Sequence, residues 1–518
     1  MGSKTADLMK QFAGRDVHRA LLNPTSMKSL LSLFFLTATA QAALTLPAIF
    51  SDHMVLQSGK PVPVWGAADA NAEITVAIAG QKKSAKAGAN GQWSLQLDAL
   101  TATAEPQTLI IGDKTINDVL IGEVWLGSGQ SNMAMPVQGA KDYAASQAAA
   151  NVPLIRMFTE SSPSATTAQS QGKGTWVVCS AETVGRFSAT AYFFGRNIYE
   201  VLKQPVGLIN SSVGGTPIES WISPEAQQAS AELKPFYAAL QQESGKFDEA
   251  KAKAGYEREV AKWVEAVKQA KAAKTTVPRK PRDPLETRKR KGDIGGLFNG
   301  KISPLIPYAI RGAIWYQGEA NSVDFKAPYY QQLLTLLAKD WRTRWNDEFP
   351  FAWVQLPNFT RAGEGWPIMR EQMLNAVSTI PQSGMAITLD IGETKNIHPT
   401  NKQEVGRRLA QWALGAVYHK DVAATSGPLI DTATVKGGEF LVTFKHAKGL
   451  TAKGDLTGFE IAGADGQWQP ADAKIDGETV IVSAKAVTAP KQVRYAWKDN
   501  PTATLFNGAG IPASPFRK

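Results

Sequence analysis

The stretch Gly122–Val137, GEVWLGSGQSNMAMPV, decides how the chain is read. From Val119 to Leu126 an apolar run, interrupted by Gly122 and Glu123, has the character of a buried strand. It stops at Gly127-Ser128-Gly129, and Ser131-Asn132 follows at once. A serine carried onto a tight turn at the end of a core strand, with glycines clearing the space around it, is how an α/β hydrolase exposes a nucleophile. A helix starting at Ser131 would aim free backbone N–H groups at an oxyanion formed there. The plainer account is a Ser/Asn cap on an ordinary helix. S-G-Q-S-N is not the G-x-S-x-G elbow, so the choice rests on the remainder of the chain.

Working outward, strands alternate with helices from Val119 onward. Leu120–Leu126, Gly207–Asn210, Ile310–Tyr316, Phe351–Leu356 and Met385–Leu389 read as strands, and Ala189–Leu202, Tyr329–Arg344 and Glu404–Leu414 as helices. Apolar strands separated by helices predict a parallel sheet covered on both faces, with ligands bound beyond the carboxyl ends of the strands. Residues 225 to about 292 interrupt this pattern. Asp248–Lys274 is rich in Ala, Lys and Glu at helical spacing, and Pro278, Pro281 and Pro284 break it, which is expected of a solvated helical insertion at a cleft edge. On the amino-terminal side, Val62–Trp65, Ile74–Ile78 and Trp93–Leu97 alternate as strands, and Asn90-Gly91 predicts a type I′ hairpin. After about Ser426 the strand pattern returns in Glu439–Phe444, Phe459–Ile461, Thr479–Ser483 and Val493–Trp497, with turns at Asp465-Gly466 and Asp476-Gly477. The expected organisation is therefore an upstream extension and leader (1–42), an N-terminal β-sandwich (43–116), an α/β domain (117–425) and a C-terminal β domain (426–518).

Three further stretches fall at expected strand ends: LINSSVGGTPIESW (Leu208–Trp221), AIWYQGEAN (Ala313–Asn321) and LDIGETKNIHPTNKQEVGRRL (Leu389–Leu409). Together with GQSNM, and in this order, they resemble the sialate O-acetylesterase family, a branch of the SGNH hydrolases acting on acetylated carbohydrates. The resemblance spans roughly residues 44 to 518. It implies a three-layer α/β/α domain with a parallel sheet, flanked by β-sandwich domains, and a serine esterase that removes O-acetyl groups from carbohydrates without metal or organic cofactor. O-acetylated sialic acid and acetylated plant polysaccharides such as xylan or xyloglucan are the substrates it suggests.

Acyl transfer by serine needs a nucleophile, a base in hydrogen-bond reach, and donors aimed at the oxyanion. Ser131 is the nucleophile. His398 follows the last sheet strand by a short polar loop, whereas His419 ends a helix and His446 sits in the C-terminal β domain. The I-H-P-x-N-K-Q block matches the family's catalytic histidine. The Ser131 amide and Gly214, which has no Cβ to block a carbonyl, are oxyanion donors. The resemblance adds a side-chain amide after the strand Ile310–Tyr316, Gln317 or alternatively Asn321. The usual D-x-x-H is broken, because position 395 is a lysine. The acid is therefore expected at Asp390, with Glu393, Glu319 or a Ser–His dyad without a strong acid as alternatives. Trp221, Trp315 and Trp366 are either sugar-stacking surfaces or core. The rival readings are a non-catalytic carbohydrate-binding protein and a serine peptidase.

Composition bounds the rest. The chain has 518 residues, 43% hydrophobic and 20% charged, as in an ordinary globular protein of about three domains. Its net charge of +10 is a weak field for this length, and nucleic-acid binding is not expected. Cys179 is the only cysteine, so no intrachain disulfide forms, and the five histidines include no H-E-x-x-H pair. Met27-Lys28, the apolar Leu30–Leu36 and Ala40-Gln41-Ala42 read as a secretory signal peptide, too short to span a membrane, and imply a periplasmic or secreted protein. N-terminal sequencing of the exported protein should find a chain beginning near Ala43, and an intact Met1 would overturn this reading.

Overall fold

The long apolar run at 119–126 becomes the spine of the fold. In a computed structural model that describes residues 44–518 apart from positions 292, 324 and 361, it lies within one strand, β1 (Lys114–Gly129). The expected leader lies outside the described residues. The first half of β1 pairs antiparallel with Thr103–Ile111 and parallel with Val55–Gln57. Its second half pairs parallel with the strands of the central sheet. The domain boundary expected at 116/117 therefore falls inside a continuous strand rather than in a linker.

The other central strands are β2 (Ile155–Thr159), β3 (Trp176–Val178), β4 (Val206–Ser212), β5 (Gly312–Tyr316), β6 (Phe351–Val354) and β7 (Ser383–Ala386). They lie in the order β7-β6-β5-β1-β4-β2-β3, all parallel except the β2/β3 edge pair. Strands laid down first fill one side of β1, and later ones fill the other. Loops from both halves therefore converge on the carboxyl end of β1, the switch point at which open α/β sheets bind ligands.

Period-two alternation sorts the side chains onto two covered faces. Trp125, Ile314, Ala352, Val354 and Ala386 share a buried cluster with Tyr192, Phe194 and Ile198 of α2 (Ala189–Leu202) and Val405 and Leu409 of α5 (Lys402–Trp412). Here α1 is the short helix Ser131–Ala134. Leu126, Ala313, Trp315, Phe351, Trp353 and Met385 face the other way, against Leu334, Leu337 and Trp341 of α3 (Tyr330–Trp345) and Met369 and Met373 of α4 (Gly365–Ala376). Trp221, Trp315 and Trp366 belong to this second core, at most 2% exposed, and offer no surface to a sugar. Trp221 and Trp341 each pack edge-on against Trp315, with ring centroids 6.0 Å apart.

Before β1, strands Val62–Ala67 and Gln92–Leu97 pair with each other, apart from the sheet containing Glu73–Ile78 and Gln81–Lys86. A turn forms at Asn90-Gly91, but it is not the expected type I′ hairpin. Only Gly91 takes positive φ (75°), and the strands before and after it belong to different sheets. The helical stretch at 225–292 holds Pro224–Ala229, Lys234–Gly245, Glu249–Ala272 and Pro284–Lys291. Asp248 caps the long third helix by accepting a hydrogen bond from the Lys251 amide at 2.9 Å.

The C-terminal region forms two four-stranded antiparallel sheets, one around Glu439–Lys445 and the other around Phe459–Ala462. Phe444 and Phe516 meet between them at 5.9 Å. The segment after the last long strand returns to the α/β core, where Arg370 of α4 receives it. Fully buried, Arg370 donates to the carbonyls of Leu356, Pro357, Lys498 and Asp499. Burial pushes its pKa down to about 9, with the Asp499 charge opposing that shift. Arg370→Met should strand several buried carbonyls at about 1–3 kcal/mol each. We expect a loss of about 3 kcal/mol or more by denaturant unfolding, against under about 1 kcal/mol for exposed Lys262→Met in the Lys262–Glu259 surface pair.

Candidate active site

At the end of β1 the chain passes the backbone of β5 at very close range. Gly129 has φ 134°, and a β-carbon placed on it would lie 2.2 Å from the Tyr316 carbonyl oxygen. Gln130 then donates its amide to that same oxygen at 2.9 Å, and α1 starts at Ser131. Gln130 is the capping residue, so Ser131 is the first helical residue rather than the cap, and its amide has no partner within the helix. Helix α1 is anchored from behind, where Ser188 and Thr190 donate hydroxyl hydrogen bonds to the carbonyls of Met133 and Asn132.

The Ser131 hydroxyl lies 2.8 Å from Nε2 of His398. The Gly214 loop sits against the same serine. A β-carbon at Gly214 would be 3.3 Å from Ser131 Cβ and 3.9 Å from Ser131 N, and the Gly214 amide has no hydrogen-bond partner among the described residues. Ser131, Gly214 and His398 are all partly exposed. Three separate sequence blocks thus meet at one solvent-reachable point. Burial, and then the nearby Lys402 charge, hold the His398 pKa below the ordinary histidine value, which favours the neutral ring that a base requires.

The side-chain amides expected beside them do something else. Gln317 is fully buried, and its Nε2 donates to Asn321 Oδ1 (2.7 Å), Gln130 Oε1 (3.2 Å) and the Thr216 carbonyl (3.2 Å). Its Oε1 accepts from the Tyr330 hydroxyl at 2.7 Å. Asn321, also fully buried, donates to Glu219 Oε2 at 2.8 Å and accepts from the Ile218 amide at 2.9 Å. Both amides are committed to tying together the loops after β1, β4 and β5. Neither is free to meet an oxyanion.

The expected acid also lies elsewhere. Strand β7 ends at Ala386, so Asp390 sits in the following loop rather than at a strand end. There it forms a bidentate pair with Arg408 of α5, at 2.6 and 2.8 Å. A nearly buried guanidinium demands a counter-charge, and the forked geometry makes Asp390 a strong one. Glu393 accepts from the Thr400 amide (2.6 Å), the Thr400 hydroxyl (2.7 Å) and Asn396 Nδ2 (2.9 Å). Burial pushes its pKa up, but these donors and the Lys402 charge outweigh it and hold the carboxyl below its ordinary value. Glu319 accepts from Asn132 Nδ2 at 2.5 Å, and burial raises its pKa. Among the described residues no carboxylate is hydrogen-bonded to His398, which leaves the dyad alternative.

Sequence reasoning assigned no role to Lys402 or Asn132. Lys402 is fully buried and donates to Asn132 Oδ1 (2.6 Å) and the Pro399 carbonyl (2.8 Å). Burial brings its pKa down to about 7, with Glu319 and Glu393 opposing the shift. The available signal was position alone, since Asn132 follows Ser131 and Lys402 is the middle residue of the N-K-Q of the histidine block.

The chain that carries these blocks is similar to known proteins. A family model described as carbohydrate esterase, sialic acid-specific acetylesterase matches residues 121–277 and 300–415. The match continues through most of the helical stretch and breaks only across 278–299, so what lies outside the family pattern is narrower than the expected 225–292 insertion. The crystal structure of a carbohydrate acetylesterase from Xanthomonas citri superposes with a TM-score of 0.77 at 32% identity, covering 92% of this chain and 99% of that one. The sialate O-acetylesterase of Rattus norvegicus is 26% identical, covering 95% of this chain and 97% of its own length. That of Homo sapiens is 25% identical, with coverages of 90% and 91%. The chain belongs to the carbohydrate esterase family of sialic acid-specific acetylesterases.

Proposed function

We propose that this protein removes O-acetyl groups from carbohydrates by covalent catalysis through Ser131, with His398 as the base. The observation that carries this reading is the 2.8 Å contact between Ser131 Oγ and His398 Nε2, at the mouth of the sheet and beside Gly214. In the neutral ring Nε2 accepts the hydroxyl proton, which assigns the remaining ring proton to Nδ1. Oγ attacks the acetyl carbonyl as Nε2 takes its proton, and the oxyanion gathers against the Ser131 and Gly214 amides. Collapse breaks the ester bond, and His398 returns the proton to the departing sugar oxygen. Water, deprotonated by the same nitrogen, then attacks the acetyl-serine and releases acetate. The chemistry asks nothing of a metal or an organic cofactor.

Two relatives named for sialate that cover nine-tenths of the chain make O-acetylated sialic acid the first substrate to assay, with acetylated xylan and xyloglucan beside it. The leader-like pattern at 27–42 supports a periplasmic or secreted location.

Acetate release decides the roles. Ser131→Ala should lose about a thousandfold or more of kcat, His398→Ala should match it, and the double variant should be little worse than either. Retention of more than about a tenth of wild-type activity in Ser131→Ala would move the nucleophile elsewhere. Because Asp390 faces Arg408, Asp390→Asn should lower the melting temperature while kcat stays within about tenfold of wild type. A kcat collapse without loss of stability would return the acid role to Asp390.

A further inference from the structure

The loop carrying His398 is gripped at its backbone on both sides of the histidine. The Ile397 carbonyl accepts from Asn132 Nδ2 at 3.0 Å, and the Pro399 carbonyl accepts from Lys402 Nζ at 2.8 Å. The two grips are one unit, because Lys402 Nζ also donates to Asn132 Oδ1 at 2.6 Å. The other end of the Asn132 amide meets Glu319 Oε1 at 2.5 Å. A cation on the amide oxygen and a carboxylate on its nitrogen leave that side chain a single orientation. Asn132 is adjacent to Ser131, so nucleophile and base are tied to the same buried group. Lys402 lies at the first position of α5, 5.2 Å from the centre of the Tyr316 ring, which leaves little room for its ammonium to shift.

We propose that Lys402, balanced by Glu319 through Asn132, is the positioning residue that seats His398 against Ser131 and performs the orienting task a triad carboxylate performs elsewhere. The inference rests on the Ser131/His398 reading. An orienting carboxylate acts by holding the imidazole in place and by favouring its charged form. Here the first task is done through two backbone carbonyls. The second is not done, since the charge that acts on the His398 pKa is the Lys402 cation, which lowers it. The enzyme therefore runs on a weaker base that stays neutral further into acid.

The charged groups around the histidine are Lys402 from α5, Glu319 from the loop after β5, and Glu393 from its own loop. Lys395 is exposed, and Lys141, whose amide bonds the Thr400 carbonyl, turns its ammonium toward Asp142. Loss of the Lys402 charge removes a repulsion from imidazolium, so the His398 pKa rises. Because the reaction needs the neutral ring, the acid limb of kcat/KM then moves to higher pH.

The test measures acetate release from an aryl acetate across pH for full-length wild type, Ser131→Ala, Lys402→Met, Glu319→Gln and Asn132→Ala, with melting temperatures for each. Lys402→Met should lower kcat by about a hundredfold with KM within about threefold, and shift the acid limb upward. Glu319→Gln keeps an acceptor for Asn132 and should retain at least tenfold more activity than Lys402→Met. Combining Asn132→Ala with Lys402→Met should cost little beyond the worse single, as expected of one unit. If Lys402→Met melts below the assay temperature, Asn132→Ala carries the decision, and near-wild-type kcat there overturns the proposal. A folded Lys402→Met with an unmoved acid limb and kcat near wild type also overturns it, while an inactive Ser131→Ala leaves the nucleophile assignment standing. An active Ser131→Ala would instead sink the underlying reading.

Discussion

The constraint on which the site depends is the contact between the end of β1 and the backbone of β5 at residue 129. A side chain there would strike the Tyr316 carbonyl, and the φ of 134° is one that L residues rarely adopt. Glycine alone lets the chain turn out of the sheet at that register. Because Gln130 then hydrogen-bonds the same carbonyl, the exit direction is set, and Ser131 emerges above the sheet edge as the first residue of a helix. The same economy of side chains recurs at Gly214, in the loop after β4, where a β-carbon would come within 3.3 Å of that of Ser131.

Around this point buried and part-exposed groups divide the work. Gln130, Gln317, Asn321 and Glu219, each at most 3% exposed, bond one another across three loops. Breaking one partner of such a network leaves a buried polar group unsatisfied, which makes the loops cooperative rather than independently mobile. Asp390 and Arg408 do the same for the loop leading to His398, and Lys402 with Asn132 for the histidine itself. The groups that must meet a substrate stay reachable on this rigid base, as precise sites require. Among the described residues no carboxylate is hydrogen-bonded to His398, and the proposed dyad is consistent with that division, with rigidity in place of the orienting hydrogen bond.

Much of this was legible in the amino-acid sequence because it follows from local chemistry. Period-two and period-3.6 patterns located five of the seven central strands and the helices α2, α3 and α5, with α2 found at its observed bounds, Ala189–Leu202, while α4 (Gly365–Ala376) was not expected. The strand Ile155–Thr159 and the edge strand Trp176–Val178 beside it escaped, being short and outside any alternating run. Glycine-rich strand ends marked Ser131 and Gly214, since a residue without a side chain beside a small nucleophile has few other uses. The histidine followed from its place after the last central strand and from the block around it.

Partner choice was not legible, because it depends on which side chains tertiary packing brings into reach. Asp390, Glu393 and Glu319 all lie near His398 or the strand ends in sequence, and only the fold reveals that Arg408, Thr400 and Asn132 claim them. Gln317 and Asn321 were expected to face an oxyanion, but both are buried and spend their amides on Asn321, Gln130, Thr216, Glu219 and Ile218, partners the sequence does not reveal. Nothing in the sequence singled out Lys402. A buried ammonium is recognisable only by the walls around it, here the Tyr316 ring and the Asn132 amide oxygen from distant segments, with the nearby Pro399 carbonyl. Sequence determined the turn, the serine that follows it and the strands that carry them, all governed by sterics within a few residues. Tertiary structure decided the electrostatics, because charge pairing acts across space and records nothing in the spacing of residues along the chain.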